Sequence, residues 1–133
     1  MLRNSKLKNM IELSSRLTVY VPSTKNINEV IDNTEYVNKT ASMLSEYFGG
    51  ATATEASGYW ISPSMGLISE RSTMIFAYCK EADLNTYVDS VVEHCEYLKE
   101  ELKQDSIALE INGKMYFVWF LYSCKTTNTE RIY

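Results

Sequence analysis

Leu84, Val88, Val91, Cys95, Leu98 and Leu102 recur at three- and four-residue spacing, which gives one apolar stripe from about Ala82 to Lys103. Charged residues occupy the opposite side. A helix of this kind owes its stability to whatever covers its stripe, and the flanking segments carry strand patterns that can do so. Leu17, Val19 and Val21 alternate with Arg16, Thr18 and Tyr20, predicting a first strand that ends at Pro22. Val37, Ala41, Leu44 and Phe48 predict a first helix from about Glu35 to Phe48, with Thr34 as its cap. Gly49-Gly50 stops that helix, and small and hydroxylated residues then alternate from about Ala51 to Ser57, with Tyr59-Trp60-Ile61 continuing past Gly58. Ser62 to Gly66 reads as a turn, and Leu67 to Cys79 as a third strand whose Met74–Cys79 end is expected to be buried on both sides. After the second helix, Ile107, Leu109 and Ile111 alternate up to Asn112-Gly113, a favoured hairpin turn, and the last strand pairs back from Met115 to about Tyr122.

The order strand, helix, strand, strand, helix, strand, plus one hairpin strand, predicts an α+β, ferredoxin-like βαββαβ sandwich with both helices on one face of an antiparallel sheet. The expected organisation is an arm or short helix over 1–15, one domain over 16–124 and a polar tail over 125–133. Tyr116 to Tyr122 is apolar on both faces, so a homodimer or larger homo-oligomer is expected.

Among 133 residues the net charge is −4, which excludes a basic field for sequence-independent DNA or RNA binding. Met115–Tyr122 is far too short to span a bilayer, and residues 1–15 do not make a signal peptide. The cysteines, Cys79, Cys95 and Cys124, are odd in number and lack metal spacing, so reduced, structural thiols are expected and no metal or cofactor. His94, the single histidine, is adjacent to Cys95 on the helix, about 100° around it, so the two do not form a nucleophile–base pair.

With no phosphate loop, dinucleotide fingerprint or nucleophile elbow, the chain is expected not to be an enzyme. Binding is the stronger reading. Arg16 opens the first strand and Arg71 interrupts the third; a guanidinium fork matches phosphate oxygens, and Phe48, Tyr59 or Trp60 can stack a base. Thr52 and Thr54 place hydroxyls beside the amides of Gly49 and Gly50. The structural alternative pairs Arg71 with Glu70 or Glu55 and leaves Arg16 in a surface ion pair.

Arg16-Leu17-Thr18-Val19-Tyr20-Val21-Pro22, Phe48-Gly49-Gly50-Ala51-Thr52-Ala53, Gly58-Tyr59-Trp60 and Ala108-Leu109-Glu110-Ile111-Asn112-Gly113 together resemble the first described type of phage and prophage anti-Thoeris proteins. The resemblance covers about Arg16 to Val118. It implies an oligomeric, non-catalytic sponge in the cytoplasm of the infected bacterial host. Such a protein binds cyclic ADP-ribose isomers made by TIR-domain proteins and blocks Thoeris immunity. Carried onto this chain, Arg16 and Arg71 take the pyrophosphate, Phe48 stacks the base, and Gly49, Gly50 and Thr52 give close contacts, with Trp60 a further candidate. Two other functions stay open: a protein-interaction module acting through the aromatic last strand, and a nucleotide-degrading enzyme with Glu55 or Glu70 as base.

Overall fold

The computed structural model describes residues 5–26 and 28–119. After a 3-10 turn, Lys6–Asn9, the chain forms β1 (Ser15–Pro22), two short paired strands, β2 (Thr24–Lys25) and β3 (Glu29–Val30), and helix α1 (Thr34–Phe48). The rest is β4 (Thr52–Ser62), β5 (Gly66–Cys79), helix α2 (Glu81–Leu102), β6 (Ile107–Ile111) and β7 (Lys114–Val118). The main sheet is antiparallel throughout, with spatial order β4-β5-β1-β6-β7. Without β7 this is the ferredoxin-like arrangement, with β1 and β5 as central neighbours.

Strand alternation sorts the residues between two faces. Leu17, Val19 and Val21 of β1 pair with Ala77, Ile75 and Thr73 of β5, and Leu109 and Ile111 of β6 continue the row. This side meets Leu44 of α1 and Leu84, Val91, Cys95, Leu98 and Leu102 of α2, all buried. Each fully covered aliphatic side chain there is worth about 1.5–3 kcal/mol relative to exposure. The expectation of two-sided burial for Met74–Cys79 is corrected by the same alternation: Ile75, Ala77 and Cys79 are buried, whereas Met74 and Phe76 are half-buried and Tyr78 is exposed. The helices cover one side of β5 and leave the other uncovered.

The helix ends follow local chemistry. At the start of α1 the cap position is Asn33, not Thr34; the Asp32 carboxylate accepts from the Thr34 N–H at 3.0 Å and from its hydroxyl at 2.5 Å. Asn33 instead spends its amide across the layers, donating to Val21 O and Thr73 Oγ1, each at 3.2 Å. Gly49, at φ 93°, ends α1 in the left-handed region that suits glycine. The acids Glu81 and Asp83 sit in the first turn of α2, where the helix dipole favours them. At the far end Gln104 donates to Thr24 O at 3.1 Å and to Leu102 O at 3.2 Å, tying the short strands to α2. Asn112 (φ 52°) and Gly113 (φ 84°) supply the two positive angles of the predicted β6–β7 turn. The predicted last strand is described to Val118; Phe120–Tyr122 and Cys124 lie outside the described residues.

No helix among the described residues is long and apolar enough to cross a membrane. No group of three or more metal-ligating side chains stands together among them.

Candidate functional site

The helix-free face of the sheet carries Arg16, Thr18 and Tyr20 from β1, Glu70, Ser72, Met74, Phe76 and Tyr78 from β5, and Trp60 from β4, all on one side by the register of pairing. On this face lies a concavity of about 200 Å³. Trp60, Glu70 and Ser72 line it from the β4–β5 hairpin, Tyr20 from β1, and Ala108 and Met115 from the β6–β7 hairpin. Gly58 pairs directly with Glu70, which puts Trp60 and Glu70 in diagonal positions on the same side. The indole Nε1–H donates to Glu70 Oε2 at 2.8 Å. A carboxylate held by an indole N–H, beside the indole ring, forms an anionic and aromatic wall suited to an organic cation.

A second polar set lies on the same face nearer the β1 start. The Arg16 guanidinium rests on the Phe76 ring at 4.4 Å and near Tyr78 at 5.6 Å. It has no acid partner among the described residues, and its Nε is buried without a hydrogen bond. Next to it, Thr18 donates to Glu110 Oε1 at 2.8 Å, and Gly113 N–H donates to Glu110 Oε2 at 2.7 Å.

The residues singled out in the sequence fall in three places. Trp60 and Arg71 are among those around the concavity. Strand parity nevertheless puts the Arg71 side chain on the opposite face from Arg16, where it forms an exposed ion pair with Glu55 at 2.6 Å. One of the two open alternatives for Arg71, the Glu55 pair, is therefore the observed one. Phe48, Gly49 and Gly50 lie together at the end of α1. Phe48 packs edge-on against Tyr47 and Tyr87 at 6.0 Å each, and the Gly49 N–H closes the helix by donating to Ser45 O at 2.8 Å. A Cβ built on Gly50 would meet nothing within 4 Å, and Thr52 is exposed on the edge strand, paired with Phe76. Tyr20, Ser72 and Met115 were not singled out from the sequence. Their signal was present in the alternation that put Tyr20 opposite the apolar side of β1.

The nucleophile-type residues are placed for structure. Cys95 is fully buried, and burial, with the Glu96 charge second, pushes its thiol up to about 12. Burial likewise raises Cys79. His94 Nε2 lies 2.7 Å from Thr40 Oγ1, whose own hydroxyl is 2.8 Å from Tyr36 O and donates to it, so His94 is the donor to Thr40. Burial lowers its pKa, helped by the Lys39 charge.

No protein-family model matches the chain, and no curated protein does. Solved structures do. A phage SAM lyase, seen in complex with S-methyl-5'-thioadenosine and in the apo state, superposes on 86% of this chain and 98% of its own, with a TM-score of 0.59 and 18% identity in both states. The likeness is one of fold. It corrects the expectation that the chain is not an enzyme, because the matching fold is that of a lyase. The neighbours are phage proteins, as the resemblance in the sequence implied; neither is described as a cyclic ADP-ribose binder.

Proposed function

We propose that this chain is a phage lyase acting on a sulfonium nucleoside of the S-adenosylmethionine type, bound on the open face of the sheet, in an anti-defence role. The observation that carries the reading is the Trp60–Glu70 pair at 2.8 Å in the wall of the concavity, on the fold of a lyase that binds S-methyl-5'-thioadenosine. A sulfonium is attracted to a carboxylate and to an aromatic face, and it loses its charge when its carbon–sulfur bond breaks. In that cleavage the bond between sulfur and Cγ of the amino-acid chain breaks and its electron pair stays on sulfur, leaving the neutral thioether. As that bond breaks, the fragment's own carboxylate oxygen attacks Cγ and closes a lactone, or a base takes the β proton and an alkene forms, for which Glu70 is the carboxylate at hand. Both routes balance without an added oxidant or water.

At about 200 Å³ the concavity is below the range of roughly 300–1,000 Å³ usual for drug-sized ligands. A second copy laid against the aromatic open face would complete it, in keeping with the expected homo-oligomer. The second reading is binding of a cyclic ADP-ribose isomer. What favours it is Arg16, a guanidinium laid across Phe76 with no acid partner among the described residues, as a phosphate site would need.

The test is incubation of the full chain with S-adenosylmethionine and, separately, with cyclic ADP-ribose isomers, followed by chromatography and mass spectrometry. The reading expects S-methyl-5'-thioadenosine in excess over enzyme, with the mass of the partner fragment distinguishing lactone from alkene. No turnover of the sulfonium, with depletion of a cyclic ADP-ribose isomer, would replace it with the second reading.

A further inference from the structure

Gln104 follows α2 and is buried, yet it borders the concavity on the open face of the sheet. Both protons of its side-chain amide are committed to main-chain carbonyls, Thr24 O at 3.1 Å and Leu102 O at 3.2 Å. Two bonds from one planar amide fix its orientation and leave Oε1 as the open end. Among the described residues nothing donates to Oε1. The buried side-chain atoms without a partner there are Arg16 Nε and Thr24 Oγ1, so Oε1 keeps accessible surface. A buried glutamine thus holds an oriented acceptor beside the concavity.

Ser106 lies two residues on, half-buried, at the same border, and its hydroxyl has no hydrogen bond among the described residues. Pro22 pairs with Ser72, and the β1–β6 register carried on from Val19↔Leu109 brings Ser106 opposite Pro22. Ser106 therefore shares the open face with Glu70 and Ser72. The order β5-β1-β6 sets it two strand spacings from β5, about 10 Å. Between these polar ends the lining is apolar, from Pro22, Ala108 and Met115.

We infer that Gln104 and Ser106 read the Watson–Crick edge of adenine. Gln104 Oε1 accepts from the 6-amino group, and the Ser106 hydroxyl donates to N1. This rests on the sulfonium-nucleoside reading and deepens it by naming the base. With the 5'-sulfur at Trp60 and Glu70, the base reaches across β1, and its N1/N6 edge is the end farthest from the sulfur. Glutamine can read adenine with its oxygen and its amide together. Here the amide is spent in the fold, and the serine supplies the donor. Hypoxanthine sets an oxygen against Oε1, where two acceptors meet without a proton.

Calorimetric titration of the full chain with S-methyl-5'-thioadenosine and with its hypoxanthine counterpart, S-methyl-5'-thioinosine, tests this. The native chain is expected to bind the adenine form tighter by about tenfold or more. Gln104→Leu is expected to bring the two close to equal. Because Gln104 also ties the short strands to α2, the melting temperature of this variant is measured alongside. If it does not fold, Ser106→Ala decides: it is expected to weaken the adenine nucleoside and leave the 1-deaza analogue, which lacks N1, unchanged. Equal native binding of the two nucleosides, discrimination that survives Gln104→Leu, or a loss in Ser106→Ala that the 1-deaza analogue shares would each overturn the inference while the lyase reading stands. No binding of either nucleoside would overturn both.

Discussion

The two faces of the central sheet share strands β1 and β5 and do opposite work. On the helix side, Leu17, Val19, Ile75 and Leu109 are almost wholly covered by α1 and α2. On the other side, Arg16, Phe76, Tyr78, Tyr20, Trp60 and Glu70 lie under no helix; there the Trp60 indole N–H donates to Glu70 and the Arg16 guanidinium rests on the Phe76 ring. The contrast teaches that in this fold stability and chemistry are separated by strand parity: moving one residue along a strand moves from a position that holds the fold to one that meets the solvent.

Changes on the covered side should therefore act on stability, and those on the open side on ligand alone. The largest effect is expected for Leu98→Ala, where a fully buried side chain is cut back. Urea unfolding should show a loss of about 2–5 kcal/mol. A loss under 1 kcal/mol would mean that α2 is not the lid of the core. Glu70→Gln is next: turnover of S-adenosylmethionine should fall on the order of a hundredfold while the melting temperature barely moves. A variant that melts early but works normally would erase the division between the faces.

A smaller effect concerns the helix layer itself. His94 has a lowered pKa in the fold, so the unfolded chain takes up the proton first as the pH falls. Stability is thus complete above the ordinary histidine value of 6.5 and declines below it. Thermal melts between pH 7.5 and 5 should show this decline, and His94→Gln should flatten it. The groups facing the ring are Thr40, Lys39 and Tyr97, so a profile that rises toward acid would contradict the placement. The smallest effect is Arg71→Ala. This exposed pair with Glu55 should change stability by less than about 1 kcal/mol. It should also leave turnover near native, since the side chain stands on the other face from Trp60.

Much of the covered side was legible. The stripe from Leu84 to Leu102, the alternation of Leu17, Val19 and Val21, and the Asn112-Gly113 turn are local patterns whose meaning does not depend on distant partners. The open side was not, because its content is a matter of register. Trp60 and Glu70 each stood out alone, but their meeting depends on the hairpin folding in step from Gly58↔Glu70, which no periodicity reports. Arg16 and Arg71 looked equivalent as cations in strands; a difference of parity in β5 sends them to opposite faces. The apolar run Met74–Cys79 looked covered on both sides because aromatic residues facing a future ligand or subunit carry the same hydrophobicity as core.

A structure of the full chain with S-methyl-5'-thioadenosine tests the division of the faces most directly. The account predicts the nucleoside on the helix-free side, its sulfur near the Trp60 ring and the Glu70 carboxylate, with the helix side unchanged. A nucleoside bound instead at the Phe48–Gly50 end of α1, or no nucleoside bound at saturating concentration, would contradict it.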